Sequence, residues 1–268
     1  MPDATCVFCR SPLSGCRSRE HVFPVWLLDE LGIADSPVAP THFRPDGQVA
    51  SSRLHLVKNL REGRVCVSCN SGWMSALETA CKPLLLRLFS SNKSITALNS
   101  DERLLLARWA TKTAFVLNSS SNFNCQVPAG HLFSLRRRAR SLPGGTAVLA
   151  QQHSSTEPFS WVQSSSWILV GPQNRDEEKV KRLVDGAYKI CLQFADLLLL
   201  VARWPRRSWR LCLWSGVHIP IWPIGEPWGY RVFDDEFPRD DSLKATVWFL
   251  GTLGAIHTSA ITHKPFGA

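Results

Sequence analysis

The chain has 268 residues, of which 44% are hydrophobic and 20% charged, a composition that supports a large packed core and excludes a disordered polyelectrolyte. With 31 Lys and Arg against 22 Asp and Glu, its formal charge is +9, which suits a polyanionic partner such as nucleic acid. No stretch reaches bilayer length, since the richest, "FADLLLLVARW", carries Asp196 and Arg203, and the first residues lack a basic-then-apolar leader pattern. A soluble, cytoplasmic protein without a membrane partner is expected.

In a reducing compartment the nine cysteines are not a disulfide framework. Cys16, Cys81, Cys125, Cys191 and Cys212 lie in or near apolar runs and read as small buried hydrophobes. The other four form two C-x-x-C pairs, Cys6 and Cys9 in "CVFC" and Cys66 and Cys69 in "CVSC". Four thiolates in two tight turns are the ligand set of a closed, tetrahedral structural zinc site.

Between the two pairs, "SREHVFPVW" sets Glu20 beside His21 at the mouth of an apolar segment. Residues 29–58, with Pro37, Pro40 and Pro45, read as an inserted loop. Asn59 follows in "VKNLREGRVC", and Asn70 directly follows Cys69 in "CNSGWMSALE". From Ser71 onward Met74, Leu77, Cys81, Leu84, Leu85 and Leu88 recur at helical steps, with Pro83 placed to break or kink the helix. Glu78 lies about two helical turns beyond Asn70.

The order C-x-x-C, Glu-His, C-x-x-C-Asn resembles the HNH, or ββα-metal (His-Me finger), endonuclease superfamily, in particular its four-cysteine zinc branch. The resemblance covers roughly residues 4–90. It implies a hairpin and helix held by zinc on Cys6, Cys9, Cys66 and Cys69, with His21 as the general base that takes a proton from attacking water. It also implies a separate catalytic Mg2+ or Mn2+ held by Glu20 and Asn70, hard oxygen ligands. Asn59 is the nearest fit to an asparagine that orients the base, and Glu78 could face the same metal. Glu20 stands where aspartate is more usual, and the separation of His21 from Asn70 exceeds that of compact motifs.

Further on, "SDERLLLARWATKTAFVL" predicts a helix with Ser100 as N-cap, Trp109 in the core and Lys112 able to reach a phosphate. "NSSSNFN" marks a long loop. Beyond it, "GTAVLAQQ", "FSWVQSSSWILVG", "YKICLQFADLLLLVARW", "SWRLCLWS" and "ATVWFLGTLGAIH" read as strands, with one helix at 175–187. Two arginine clusters stand out, Arg136, Arg137, Arg138 and Arg140 in one, and Arg203, Arg206, Arg207 and Arg210 with Trp204 and Trp209 in the other. The second could grip phosphate and stack on bases.

The expected architecture is α+β. A zinc-stabilised ββα-metal module (1–90) is followed by a helical connection (91–124) and an antiparallel-sheet domain (125–268). The expected function is a metal-dependent endonuclease hydrolysing phosphodiester bonds, most naturally of DNA. The alternative is a zinc-containing nucleic-acid-binding protein on a non-hydrolytic scaffold.

Overall fold

The computed structural model describes residues 4–43, 48–90, 94–121, 125–152, 158–164, 186–203, 211–214, 219–224, 230–233 and 261–262. The fold is α+β; among the described residues it has mainly antiparallel sheets, four α-helices and a four-cysteine cluster near the N-terminus.

Strand β1 (Arg17–His21) pairs antiparallel with the strand Arg61–Cys66, so that Arg17 faces Cys66 and His21 faces Arg61. The long insertion between them leaves the pairing intact because its two ends return to adjacent positions. It holds α1 (Val25–Glu30), β2 (Pro37–Val38), β3 (Thr41–Phe43), β4 (Val49–Ser52) and β5 (His55–Leu56), which makes Arg61–Cys66 strand β6. Far from being an unstructured loop, the insertion closes on itself through the β2–β5 and β3–β4 pairs.

After β6 the chain turns directly into helix. A π-helical run, Cys69–Met74, leads into α2 (Ser75–Phe89). Pro83 lies inside α2 without ending it, on the exposed face, while Leu77, Cys81, Leu84, Leu85 and Leu88 face the core. The next helix, α3 (Ser100–Ser120), is capped one residue earlier than the sequence suggests. The Asn99 side chain accepts from the Glu102 amide at 2.9 Å, and the Glu102 carboxylate accepts from the Asn99 amide at 3.0 Å. All residues from Leu106 to Ser119 are buried, so α3 is the axle of the molecule. It packs on α2 and β6 on one side and on the C-terminal sheet on the other.

Helix α4 (Ala129–Arg137) precedes that sheet. Strands β7 (Thr146–Gln152), β8 (Phe159–Ser164), β9 (Tyr188–Phe194), β10 (Leu197–Arg203) and β12 (Ile219–Trp222) run in the order β12-β7-β10-β9-β8. The short strand β14 (Ile261–Thr262) joins β8 to β3, and so brings the insertion's β3–β4 hairpin onto the same sheet. Strand β11 (Leu211–Trp214) pairs in parallel with β13 (Tyr230–Phe233). Every residue of β9 is buried, Lys189 and Gln193 included, so both faces of the sheet are covered there.

The core is continuous from the cysteine knuckles to the sheet. Phe23, just past β1, packs edge-on against Phe159 with ring centroids 4.7 Å apart, and Trp109 of α3 meets Phe194 at 5.5 Å. Trp109 is a core residue, as its helical position implies. The helix expected at 175–187 lies outside the described residues up to 185, with Gly186 in a turn before β9, and the strand at 245–257 lies wholly outside them.

Candidate metal centre and adjoining acid–histidine site

The first knuckle is a miniature hairpin. Thr5 bridges Pro12, the Cys6 amide donates to the Ser11 carbonyl at 2.9 Å, and the Arg10 amide donates to the Cys6 carbonyl at 2.8 Å. Arg10 closes the turn in the left-handed region, at φ 63°. The Val7 amide donates to the Arg64 carbonyl at 2.9 Å, which ties this turn to β6. The second knuckle is the junction of β6 with the following helix, Cys66 ending the strand and Cys69 opening the π-helical run. Phe8 and Trp73 meet edge-on at 5.4 Å and fill the space between the two turns.

The four sulfur atoms lie within 4.8 Å of one another, with Cys9 Sγ 3.6 Å from Cys66 Sγ. That is too long for a disulfide and close to the edge of a tetrahedron with Zn–S bonds of about 2.3 Å, roughly 3.8 Å. The Cys66 amide also points at Cys6 Sγ, 3.4 Å away. The hydrogen bond from Cys69 holds the Cys6 thiol well below its usual range, while the same contact pushes Cys69 up. Crowded thiols that cannot all ionise together are what a divalent cation resolves. The cluster fits a metal such as zinc. The remaining cysteines are free of disulfides among the described residues; Cys81 and Cys191 are buried as expected, but Cys125 is exposed.

Beside this centre, alternation along β1 sends its two candidate residues apart. Glu20 points inward and is 4% exposed; His21 is half-buried. Opposite Glu20 across the pair stands a second buried acid, Glu62. Each acid has its own cation. Glu62 accepts from the Arg64 backbone amide at 2.7 Å and from its guanidinium at 3.3 Å, and Arg64 also donates to Ser119 of α3. Glu20 takes the Lys112 ammonium at 2.8 Å. Lys112 and Ser119 are two turns apart on α3, so one face of that helix serves both acids.

Lys112 corrects an expectation. It is 0% exposed, and its ammonium lies between Glu20 and Glu78 of α2, so it is not placed to reach a phosphate. Burial alone would lower its pKa, but the two carboxylates together raise it. Burial pushes Glu20 upward, and the ammonium draws it back. Lys112 is the pivotal member, because its removal would leave two carboxylates in the interior without their cation.

The implied catalytic divalent ion fares differently from zinc. The carboxylate of Glu20 is buried and already holds Lys112, and the Asn70 side-chain amide donates to Ser18 of β1. Among the described residues, the four cysteines are the one group of three or more His, Cys, Asp or Glu side chains that converges on a metal-sized space. Glu20 and Asn70 as arranged do not fit a shared cation.

His21 does acquire a setting. Burial lowers its pKa, and the guanidinium of its cross-strand neighbour Arg61 lowers it further, while Glu78 pulls the other way. The imidazole is therefore neutral near pH 7. Asn59 sits exposed in the turn Val57–Asn59, two residues before Arg61, and lines a cleft with it. Sequence reasoning missed that cleft, which is walled by the insertion.

Of the two arginine clusters, the first is exposed on and after α4. There Arg137 and the knuckle's Arg10 both stack on Phe133, with guanidinium carbons 5.4 and 4.5 Å from the ring centroid, so this cluster adjoins the metal centre. In the second, Arg203 donates to the Gly186 carbonyl at 2.6 Å, a structural task, while Arg206, Arg207 and Arg210 lie outside the described residues. No family model, curated protein or solved structure matches the chain.

Proposed function

We propose that this protein is a nucleic-acid phosphodiester hydrolase of the HNH endonuclease type, built on a zinc-stabilised ββα-metal module, with His21 as general base and DNA as the natural substrate. The observation that carries the reading is the strand–strand–helix order of β1, β6 and α2, clamped by four thiols, with a neutral histidine presented at the end of β1 beside Arg61. In this reading His21 accepts a proton from water as the water oxygen bonds to phosphorus. The phosphorus–oxygen bond to the leaving strand breaks, and Arg61 offers charge to the non-bridging oxygens. Zinc serves as scaffold. The further catalytic Mg2+ or Mn2+ implied by the resemblance has no step assigned to it, because Lys112 holds Glu20.

The same ion pair favours a second reading, in which the scaffold binds nucleic acid without cutting it. An internal ammonium stands where hydrolysis by the family's route would need an exchangeable cation. Cleavage of plasmid and labelled DNA or RNA by zinc-loaded protein, with Mg2+, with Mn2+ and with neither, separates the two. Hydrolysis that falls about 100-fold or more in His21→Ala, with zinc content and melting temperature unchanged, supports the first reading. A wild type that cuts nothing under all three conditions, or a His21→Ala variant that cuts equally well, overturns it.

A further inference from the structure

The segment between β1 and β6 does more than bridge them. Together with the end of α3 and the inner face of β8, it encloses a cleft of about 430 Å3. Arg53, His55 and Asn59 come from the insertion, His42 from β3, Arg61 from β6 and Gln163 from β8. No aspartate or glutamate is among its lining residues. Arg53 and Arg61 are exposed and form no ion pair among the described residues, whereas Arg64, three positions on from Arg61, is committed to Glu62. Two unspent guanidinium groups in one concave polar site attract an oxyanion with several non-bridging oxygens, which fork-shaped donors grip in pairs. The C-terminus of α3 opposes this with only about half a negative charge.

We infer that this cleft is a phosphate-binding subsite, and that its ligand is a backbone phosphate of a nucleic-acid strand lying next to the phosphate presented to His21. The inference rests on the proposed function for the second phosphate, not for the cleft's own chemistry. Arg61 is the link, since it lines the cleft and stands directly across from His21 in the strand pair, where side chains share a face. The volume lies within the range that holds a small ligand and is ample for one nucleotide. Because the subsite is made by the insertion, it would set which part of a strand is positioned without supplying any reacting group.

Binding, not cleavage, tests it. Zinc-loaded full-length protein is titrated with a short fluorescent single-stranded oligonucleotide at several salt concentrations, and with inorganic phosphate as competitor. Arg53→Ala combined with His55→Ala should weaken strand binding about tenfold and reduce the salt slope by about one counterion, with phosphate competing less well. Arg87→Ala, which removes the same charge from the far end of α2, serves as control and should change neither. Equal losses in control and cleft variants would mean a net-charge effect and overturn the proposal, as would an unchanged slope in the cleft variant. Competition by phosphate at the cleft without any strand binding would overturn the strand assignment. The cleft variant is read by binding and His21→Ala by cleavage, so failed hydrolysis and a failed subsite give different results.

Discussion

Two clusters of ionisable side chains lie within reach of β1 and β6, and they solve the same problem in opposite ways. At the knuckles four thiols converge on a space that could hold a metal ion from solution. At Glu20 and Glu78 the chain supplies its own cation, Lys112, from a helix distant in sequence. The first arrangement leaves room for an ion from solution, whereas the second relies on α3 docking. Negative charge in a low-dielectric interior is tolerable either way, but only when a cation sits on it.

The comparison breaks most visibly if zinc is removed. One equivalent should be found per chain, and Cys69→Ser or chelation should abolish cooperative unfolding of the N-terminal half, since structural zinc is worth on the order of 10 kcal/mol. A Cys69→Ser protein that melts like wild type would show that the thiols need no ion. Next in size is Lys112→Met, which strands two carboxylates and should cost about 3–5 kcal/mol by denaturant unfolding while leaving zinc in place. Adding Glu20→Gln and Glu78→Gln should recover most of that loss; a triple variant as weak as the single one would mean that Lys112 matters through packing alone.

A half-buried group with neither metal nor counter-ion among the described residues favours its neutral form, and His131 is such a group. Burial, with Arg203 nearby, pushes its pKa down to about 4, while its ring nitrogen lies 3.1 Å from the Tyr188 hydroxyl. Between about pH 6.5 and 4 the unfolded chain binds a proton that the folded one refuses, so stability should fall on acidification across that window by ~1–2 kcal/mol. His131→Gln should flatten that part of the stability profile; an unaltered slope would assign it to other groups. Smallest of all, Asn70→Ala should lose its bond to Ser18, cost about 1 kcal/mol and keep zinc, although Asn70 adjoins a zinc ligand. Zinc loss in this variant would make Asn70 part of the metal centre instead.

What was legible in the sequence is what local chemistry dictates. Paired cysteines announce their own convergence, and the apolar steps from Met74 to Leu88 announce α2. Strands β7 and β10 are readable because continuous apolar runs bounded by turn residues have few other uses. Lys112 was misjudged because a lysine is ordinarily a surface residue. The signal against it was its company: in "LLLARWATKTAFVL" apolar residues fall on every side of the helix, so a charge there needs an internal partner. That the partners would be Glu20 and Glu78 depends on tertiary docking, which no spacing encodes. The insertion looked like loop because its strands are two to four residues long and lean on one another, not on a strong pattern of their own.

The wide spacing of the contacts that close the N-terminal half has a consequence for synthesis. Cys9 waits 57 residues for Cys66, roughly 3 to 11 s at ribosomal rates of about 5–20 residues per second. During that interval its knuckle is an open dithiol, exposed to oxidants. Glu20 waits longer still, 92 residues, for Lys112. Until α3 has left the ribosome, a nascent chain with its zinc already bound would still keep that carboxylate in water and its hairpin ajar. The order of emergence thus makes convergence of the thiols the early event and the internal ion pair the lock that follows.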